Sequence, residues 1–256
     1  MPLRRDGQTR KRWRYIGLYT EQLMLCAARA QVGPLSQSFW VLWDRERGEQ
    51  LSHTAMRPGS REVRMDGPRL EIDARGLRAS LTLGAQNSPI ETICPSGSGW
   101  GWTQKRAGVP IHGTVETPGR RWQVDGLGVD DQSAGYHRRQ TSWHWSAGVG
   151  SAADGRALAW NLVEGINDPP RDSERAIWVD GEPYEPAPVR FEGTEAIEFA
   201  GGERLEFSSE SERARDENFL LVRSRYRHRF GGFSGSLDGI ELTAGLGVME
   251  QHDAVW

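Results

Sequence analysis

Cysteine, lysine and long apolar runs are all scarce in this sequence of 256 residues. Its two cysteines, Cys26 and Cys94, are too few for a small secreted scaffold held together by several disulfides. We therefore expect two reduced thiols, with a single disulfide as the alternative. No apolar run approaches the roughly 20 residues that cross a bilayer, so we expect no integral membrane segment.

Strong positive charge is also missing. The net charge of −3 at pH 7 argues against general nucleic-acid binding, which is usual in strongly basic domains. The nearest apolar stretch lies too far from the N-terminus for a secretory signal, and we expect a cytoplasmic protein. Residues 1–13 read as a basic, solvated tail, although such an arm is also suited to an anionic partner.

Apolar residues make up 37% of the chain, compared with about 45–50% in typical globular proteins. Eleven tryptophans, more than the phenylalanines or the tyrosines, nevertheless argue against a disordered chain. Strands with one polar face need fewer apolar residues than buried helices do. The length fits one large domain or two small ones.

Short apolar–polar alternations separated by turn residues dominate the sequence. In Ile197–Phe207, two alternating segments flank Gly201-Gly202, a pair suited to the positive φ angles of a two-residue hairpin turn. This spacing is typical of antiparallel all-β proteins. Comparable turn signals occur at Gly48, Asp66-Gly67, Arg75-Gly76, Asp154-Gly155, Asp180-Gly181 and Asp238-Gly239.

Two segments are ambiguous. Leu23–Ala30 has helical propensity but strand-like neighbours, and we predict a buried strand. Glu210–Asn218 fits either a serine-capped helix or the exposed end of a long strand. We predict two antiparallel meanders, each about the size of a small barrel, at residues 14–125 and 126–256, and find no clean sequence repeat between them.

Tryptophans occur in two pairs with one residue between them: Trp100 with Trp102, and Trp143 with Trp145. Residues i and i+2 of a strand share a face, so each pair forms an aromatic plate, while His144 points the other way. Such plates line ligand pockets, pack cores or, when exposed and coplanar, bind carbohydrate. Trp102, Trp143 and Trp145 are therefore candidate ligand-binding residues.

Titratable side chains near these strands are candidates for acid–base chemistry. Asp131 and His137 precede the Trp143 strand, and Glu250 and His252 lie near the C-terminus. A histidine beside carboxylates suits a general acid or base because its pKa lies near neutral pH, although each residue also fits a structural role. The histidines lack the spacing of a metal site, and phosphate-loop and dinucleotide motifs are missing, so we expect no metal and no cofactor.

Lys105 is one of only two lysines in a chain with thirty arginines. A compact ammonium at this position suits an anionic or carbonyl group, and the alternative is an exposed lysine without a role. Tyr136 and Asn161 complete the candidate ligand-binding set. Glu71–Arg75 resembles the start of the E-x-D-x-E strand of β-sandwich glycoside hydrolases, but Arg75 replaces the last carboxylate, and retaining hydrolysis needs a correctly spaced carboxyl pair.

Several long segments resemble the bacterial family of domains of unknown function numbered 2804, and the resemblance covers all but about the first dozen residues. More distantly, the chain resembles the group of hydroxyneurosporene synthase, a carotenoid hydratase. That resemblance implies two lipocalin-like barrels or half-barrels with an apolar ligand inside a barrel or between the domains. No catalytic motif of the hydratases transfers residue by residue. The segments that carry the resemblance are 11–19, 23–45, 130–150, 159–181 and 230–256.

Two functions follow as hypotheses. One is a cofactor-free hydratase, isomerase or cyclase acting on an apolar isoprenoid- or lipid-like molecule, since an acid in an apolar pocket can protonate an alkene and aromatic faces can stabilise the cation. The other is a lipocalin-like carrier of a hydrophobic ligand, without chemistry. Paired titratable groups in the site favour catalysis, whereas a wholly apolar cavity favours carriage.

Overall fold

The computed structural model describes residues 1–56, 60–85, 87–219 and 222–255. These residues form antiparallel strands and no helix, so none of them makes a helix able to cross a membrane. The strands are β1 (Arg4–Arg5), β2 (Gln8–Thr9), β3 (Lys11–Tyr19), β4 (Leu23–Val32), β5 (Leu35–Asp44), β6 (Glu49–Ala55), β7 (Val63–Asp66), β8 (Arg69–Ala74), β9 (Leu77–Leu83), β10 (Ile90–Ser96), β11 (Gly99–Thr117), β12 (Arg120–Gly135), β13 (Gln140–Ala152), β14 (Ala157–Glu164), β15 (Ala176–Val179), β16 (Glu182–Tyr184), β17 (Arg190–Glu192), β18 (Ala196–Glu198), β19 (Arg204–Phe219), β20 (Val222–Leu237) and β21 (Ile240–Val255).

The turn signals of the sequence all connect strands that pair. Asp180 and Gly181 take φ angles of 51° and 88°, as a two-residue turn of type I′ requires, and they join β15 to β16. The predicted strand at Leu23–Ala30 is β4, and Glu210–Asn218 lies within the long strand β19. Local turn chemistry therefore specifies the all-β, antiparallel fold.

Two sheets of the same topology divide the chain. In the first sheet the strand order is β6-β5-β4-β3-β12-β11-β9-β8-β7, with β10 also paired to β11. In the second it is β16-β15-β14-β13-β21-β20-β19-β18-β17. In each sheet the first long strand pairs with the last one, so the two halves repeat one topology without a visible sequence repeat.

Each sheet folds into a lipocalin-like half-barrel around its own apolar core. Strand β7 packs against β4 and β5, which bends the first sheet back on itself. Alternate residues of the strands face inward, such as Leu25 in the first half and Trp160 in the second. Residues of the opposite parity, such as Tyr15 and Trp145, form a third apolar cluster between the halves.

A bulge in β11 lets one long strand serve two of these cores. Ala107 faces the cluster between the halves, whereas Val109 faces the interior of the first half. The register shifts at Gly108, whose φ of 69° is suited to glycine. Asn87 fixes the bulge because its amide nitrogen donates to the carbonyl oxygens of Ala107 and Gly108, at 2.8 and 2.9 Å.

The boundaries of the halves differ from those expected from sequence. The expected boundary after residue 125 falls inside β12. The chain passes from one sheet to the other between Gly135, where β12 ends, and Gln140, where β13 begins. The segment expected to be a solvated tail forms a small hairpin, β1 and β2, and the start of β3. Lys11 is buried there and donates to the carbonyl oxygens of His137 and Arg138, at 2.9 and 2.8 Å.

Candidate site between the two half-barrels

Polar and aromatic side chains interrupt the apolar cluster between the halves. They come from alternate positions of the central strands of both sheets, which contact each other through β11 and β12 on one side and β13 and β14 on the other. The strand parity that supplies the apolar cluster therefore also brings the polar groups together.

Glu250 is a buried carboxyl of this cluster. On β21 it lies directly opposite Trp145 of β13 on one side and His228 of β20 on the other. The indole nitrogen of Trp143 donates to Glu250 Oε1 at 2.9 Å, and Tyr226 makes a second hydrogen bond. Only 8% of Glu250 is exposed, and this burial raises its pKa to about 7 although both hydrogen bonds favour the charged form.

Tyr15 of the first half contacts two residues that lie opposite Glu250, namely His228 and Trp145. The Tyr15 hydroxyl and His228 Nε2 lie 3.0 Å apart and share a hydrogen bond across the interface. The Tyr15 and Trp145 rings pack nearly perpendicular to each other, with centroids 5.2 Å apart. Burial lowers the pKa of His228 to about 3, so its imidazole is neutral at working pH. Its Nδ1 atom has no hydrogen-bond partner among the described residues.

His252 lies at the edge of the same group. Its Nε2 atom is 2.8 Å from the Ser224 hydroxyl oxygen, and its ring lies 4.3 Å from the Trp143 ring, between centroids. Burial lowers the pKa of His252 to about 4. The neutral ring packs against Trp143 and Tyr226, two residues that hydrogen-bond to Glu250.

Lys105 is buried in a charged cluster, contrary to the exposed alternative. Its Nζ atom lies 2.6 Å from Asp131 Oδ1 and 3.4 Å from Glu174 Oε2. Burial by itself lowers the pKa of Lys105, but the two carboxylates outweigh burial and raise it. One ammonium cannot balance two buried carboxylates, and burial raises the pKa of Glu174. The charges of Asp131 and Lys105 also act on Glu250.

Two asparagines hold Glu174 in place. Asn167 Nδ2 donates to Glu174 Oε2 at 2.8 Å, and Asn161 Nδ2 donates to the Glu174 carbonyl oxygen at 2.7 Å. The Trp145 indole nitrogen donates to Asn161 Oδ1 at 2.8 Å. These bonds join the loop between β14 and β15 to the aromatic part of the site. Of these residues, the sequence had indicated Asn161 and Trp145.

His137 lies at the margin of the cluster, against the ring of Trp13 at a centroid distance of 5.3 Å. Burial lowers its pKa to about 4, aided by the charges of Lys11 and Lys105. Neither ring nitrogen has a hydrogen-bond partner among the described residues. A methyl group on Gly101 would lie 2.3 Å from His137 Cε1, so only glycine fits beneath this ring.

Two candidate ligand-binding residues lie outside the cluster. Trp102 is three residues from Lys105 and therefore on the other face of the sheet, where its indole nitrogen donates to Glu91 at 2.5 Å. Tyr136 packs on Trp100, and its hydroxyl donates to the Pro2 carbonyl oxygen at 2.8 Å. The structure does not bring either residue to Glu250.

The second tryptophan pair follows the strand alternation. Trp143 and Trp145 share the face between the halves, and His144 points the other way and stacks on Phe191. Trp145 is only 5% exposed, which is incompatible with an exposed carbohydrate-binding plate.

Sequence reasoning overlooked Tyr15, Glu174, Tyr226 and His228. The alternation Tyr226-x-His228-x-Phe230, with arginines between, is a signal from which the buried face of β20 could have been predicted. Glu174 carries no such signal, because it stands in a loop. Both cysteines are buried and free, and no three described His, Cys, Asp or Glu side chains converge as metal ligands.

The fold defines a class of all-β proteins built from two half-barrels. It is shared with a protein named AttH from Nitrosomonas europaea, with a TM-score of 0.66, 15% identity, and 94% of this chain and 92% of that chain covered. Kievitone hydratase from Nectria haematococca has a TM-score of 0.59 at 11% identity, covering 96% and 88%. For CghA the TM-score is 0.52 at 9% identity, covering 95% and 87%.

The chain belongs to the family described as Domain of unknown function (DUF2804), whose profile matches residues 50–256. This confirms the resemblance noted in the sequence, although the matched region begins later than the resemblance does. No functionally curated protein matches the sequence.

Proposed function

We propose that this protein is a cofactor-free enzyme of the hydratase, isomerase or cyclase type, acting on an apolar isoprenoid- or lipid-like molecule between its half-barrels. The observation that carries the proposal is Glu250, a buried carboxyl whose pKa is raised to about 7 and which lies among aromatic rings. An acid that keeps its proton near neutral pH can deliver it to an alkene or carbonyl carbon.

The surrounding groups fit such a reaction. Glu250 transfers its proton to one carbon of a double bond, and the π faces of Trp145 and Tyr226 stabilise the positive charge on the other. In a hydration, water adds to the cation and returns one proton to the Glu250 carboxylate. In an isomerisation, the carboxylate instead removes a proton from the neighbouring carbon. Both routes leave Glu250 protonated and ready for another cycle.

In the proposed hydration, His228 orients that water. Its imidazole is opposite Glu250, is held by Tyr15 at one nitrogen, and has no described partner at Nδ1. A neutral imidazole can donate or accept one hydrogen bond at that atom. Kievitone hydratase is a hydratase by name and shares the fold, which makes water addition the first reaction to test.

The test compares the wild type with Glu250→Gln, which keeps the shape but cannot deliver a proton. Each protein is incubated in oxygen-labelled water with a panel of isoprenoid alkenes and unsaturated carbonyl lipids, and products are followed by mass spectrometry. The wild type should form labelled alcohols or shifted double bonds, and Glu250→Gln should lose at least about 100-fold in rate. Glu241→Gln, an exposed position on the same strand, is the matched control.

Full turnover by Glu250→Gln would contradict the proposal. Native mass spectrometry of both proteins distinguishes the carrier alternative. A hydrophobic molecule retained unchanged by the wild type and by Glu250→Gln alike, without any product, would support carriage instead.

A further inference from the structure

A cavity lies on the face of the first sheet that points away from Glu250, beside the even-numbered residues at the start of β3. Its volume is about 540 Å³, within the usual range for sites that bind small molecules. None of the described residues lining it carries a carboxylate. Its polar lining is arginine, glutamine and serine, and its apolar lining includes Met65 and Trp102.

Strand register places most of the lining residues in two adjacent rows across five strands. One row runs from β11 to β5 as Trp102, Ala134, Arg12, Gln31 and Ser36. The next row runs as Gln104, Gln132, Arg14, Arg29 and Ser38. Because residues in one row share a face, three guanidinium groups project into the same space.

The arginines outnumber the acids available to them. The row beneath contains Asp130, which accepts hydrogen bonds from Arg14 at 2.8 and 3.0 Å and from Arg106 at 2.9 Å. Arg12 and Arg29 have no ion pair among the described residues. Arg29 is also the direct cross-strand partner of Arg14, an arrangement of like charges that is unfavourable unless an anion lies between them.

We propose that this cavity binds a small organic anion, an oxyanion group attached to a flat apolar body. Arg12 and Arg29 would hold the oxyanion, since guanidinium groups bind carboxylate and phosphate oxygens through paired hydrogen bonds. The body would lie along Trp102 and Met65 on the cavity wall. The site does not depend on Glu250, because the sheet separates the two.

Calorimetric titration with naphthoate and its uncharged analogue naphthamide tests the proposal. Naphthoate should bind the wild type with one-to-one stoichiometry, and naphthamide should bind at least tenfold more weakly. The double variant R12Q/R29Q should lose at least tenfold in naphthoate affinity. The variant R223Q/R227Q removes two exposed arginines of β20 and should bind as the wild type does. Added salt should weaken binding.

Competition with inorganic phosphate identifies the oxyanion. Displacement of naphthoate by phosphate supports a phosphate ester as the natural group, and binding of naphthoate alone supports a carboxylate. No naphthoate binding to the wild type, equal affinity for naphthamide, or unchanged affinity in R12Q/R29Q would overturn the proposal. If the double variant does not fold, the single variant R29Q tests whether the guanidinium group contributes to naphthoate affinity. A change in the indole N–H signal of Trp102 during titration of the wild type tests whether naphthoate lies in this cavity.

Discussion

Glu250 and Lys105 show two ways in which a folded chain accommodates an ionisable side chain away from water. Glu250 holds its proton up to near neutral pH, because burial raises its pKa to about 7. Lys105 keeps its charge, because Asp131 and Glu174 lie within 2.6 and 3.4 Å of its ammonium. The first arrangement suits proton delivery, and the second holds a strand and a loop in fixed positions.

The acid at Glu250 should affect stability in a defined pH range. The folded carboxyl holds its proton to higher pH than an unfolded one, so the wild type loses free energy of unfolding as pH rises from 4.5 to about 7. Glu250→Gln lacks this loss and should gain about 1–3 kcal/mol relative to the wild type at pH 8. Urea unfolding across pH measures this gain. Equal pH profiles for the wild type, Glu250→Gln and the control Glu241→Gln would refute it.

Lys105 should be essential for the charged cluster. Lys105→Met leaves two buried carboxyls without a counter-charge and should reduce the free energy of unfolding by about 3–5 kcal/mol at neutral pH. Adding Asp131→Asn to this variant removes one of those charges and should restore part of the loss. Denaturant titration of the single and double variants measures both effects. A loss below about 1 kcal/mol in Lys105→Met would show that the cluster does not need its ammonium.

Local sequence patterns account for most of the strands and turns that were predicted correctly. Turn dipeptides and strand alternation predicted the hairpins, the buried strand at Leu23–Ala30 and the shared face of Trp143 and Trp145. The bulge at Gly108 was not anticipated, since a single added residue leaves the alternation on either side intact. Because of the bulge, the odd-numbered residues of β11 face the cluster between the halves up to Ala107, and from Val109 onward they face the interior of the first half.

The bulge provides a prediction for this strand. Asn87→Ala removes both hydrogen bonds to the bulge carbonyls, and Gly108→Ala places a methyl group at positive φ, 2.5 Å from Asn87 Nδ2. Each change should lower the free energy of unfolding by about 1–3 kcal/mol. Gly67→Ala is the control, because Gly67 is also at positive φ but has open space around its Cβ position. Its loss in free energy of unfolding measures backbone strain alone, without the contact with Asn87. Equal losses in all three variants would contradict a specific role for Asn87.

Across the whole molecule, the two halves share one topology and a common apolar cluster. The candidate site lies in that cluster, which explains why sequence reasoning found only part of it. Glu250 and Trp143 lie on neighbouring strands of one sheet, but Tyr15 reaches His228 from the other half, 213 positions away in sequence. No local spacing encodes a contact of that kind.

The shared cluster should make the halves unfold together. Fluorescence and circular dichroism should give one coincident transition, and Trp145→Ala, with its side chain between the halves, should shift that transition by about 3–5 kcal/mol without splitting it. Trp122→Ala, inside the first half, is the matched control and should also shift one transition. Two separate transitions in the wild type would show that the halves are independent.

The proposed function requires that Glu250 holds its proton up to near neutral pH, and titration of this carboxyl in the folded protein measures that property. Carbon NMR of glutamate carboxyl groups, with the Glu250 signal assigned by its loss in Glu250→Gln, gives the midpoint. We predict a pKa near 7 for this carboxyl. A midpoint near 4.5, the ordinary value for glutamate, would contradict the claim and remove the basis for proton delivery from this residue.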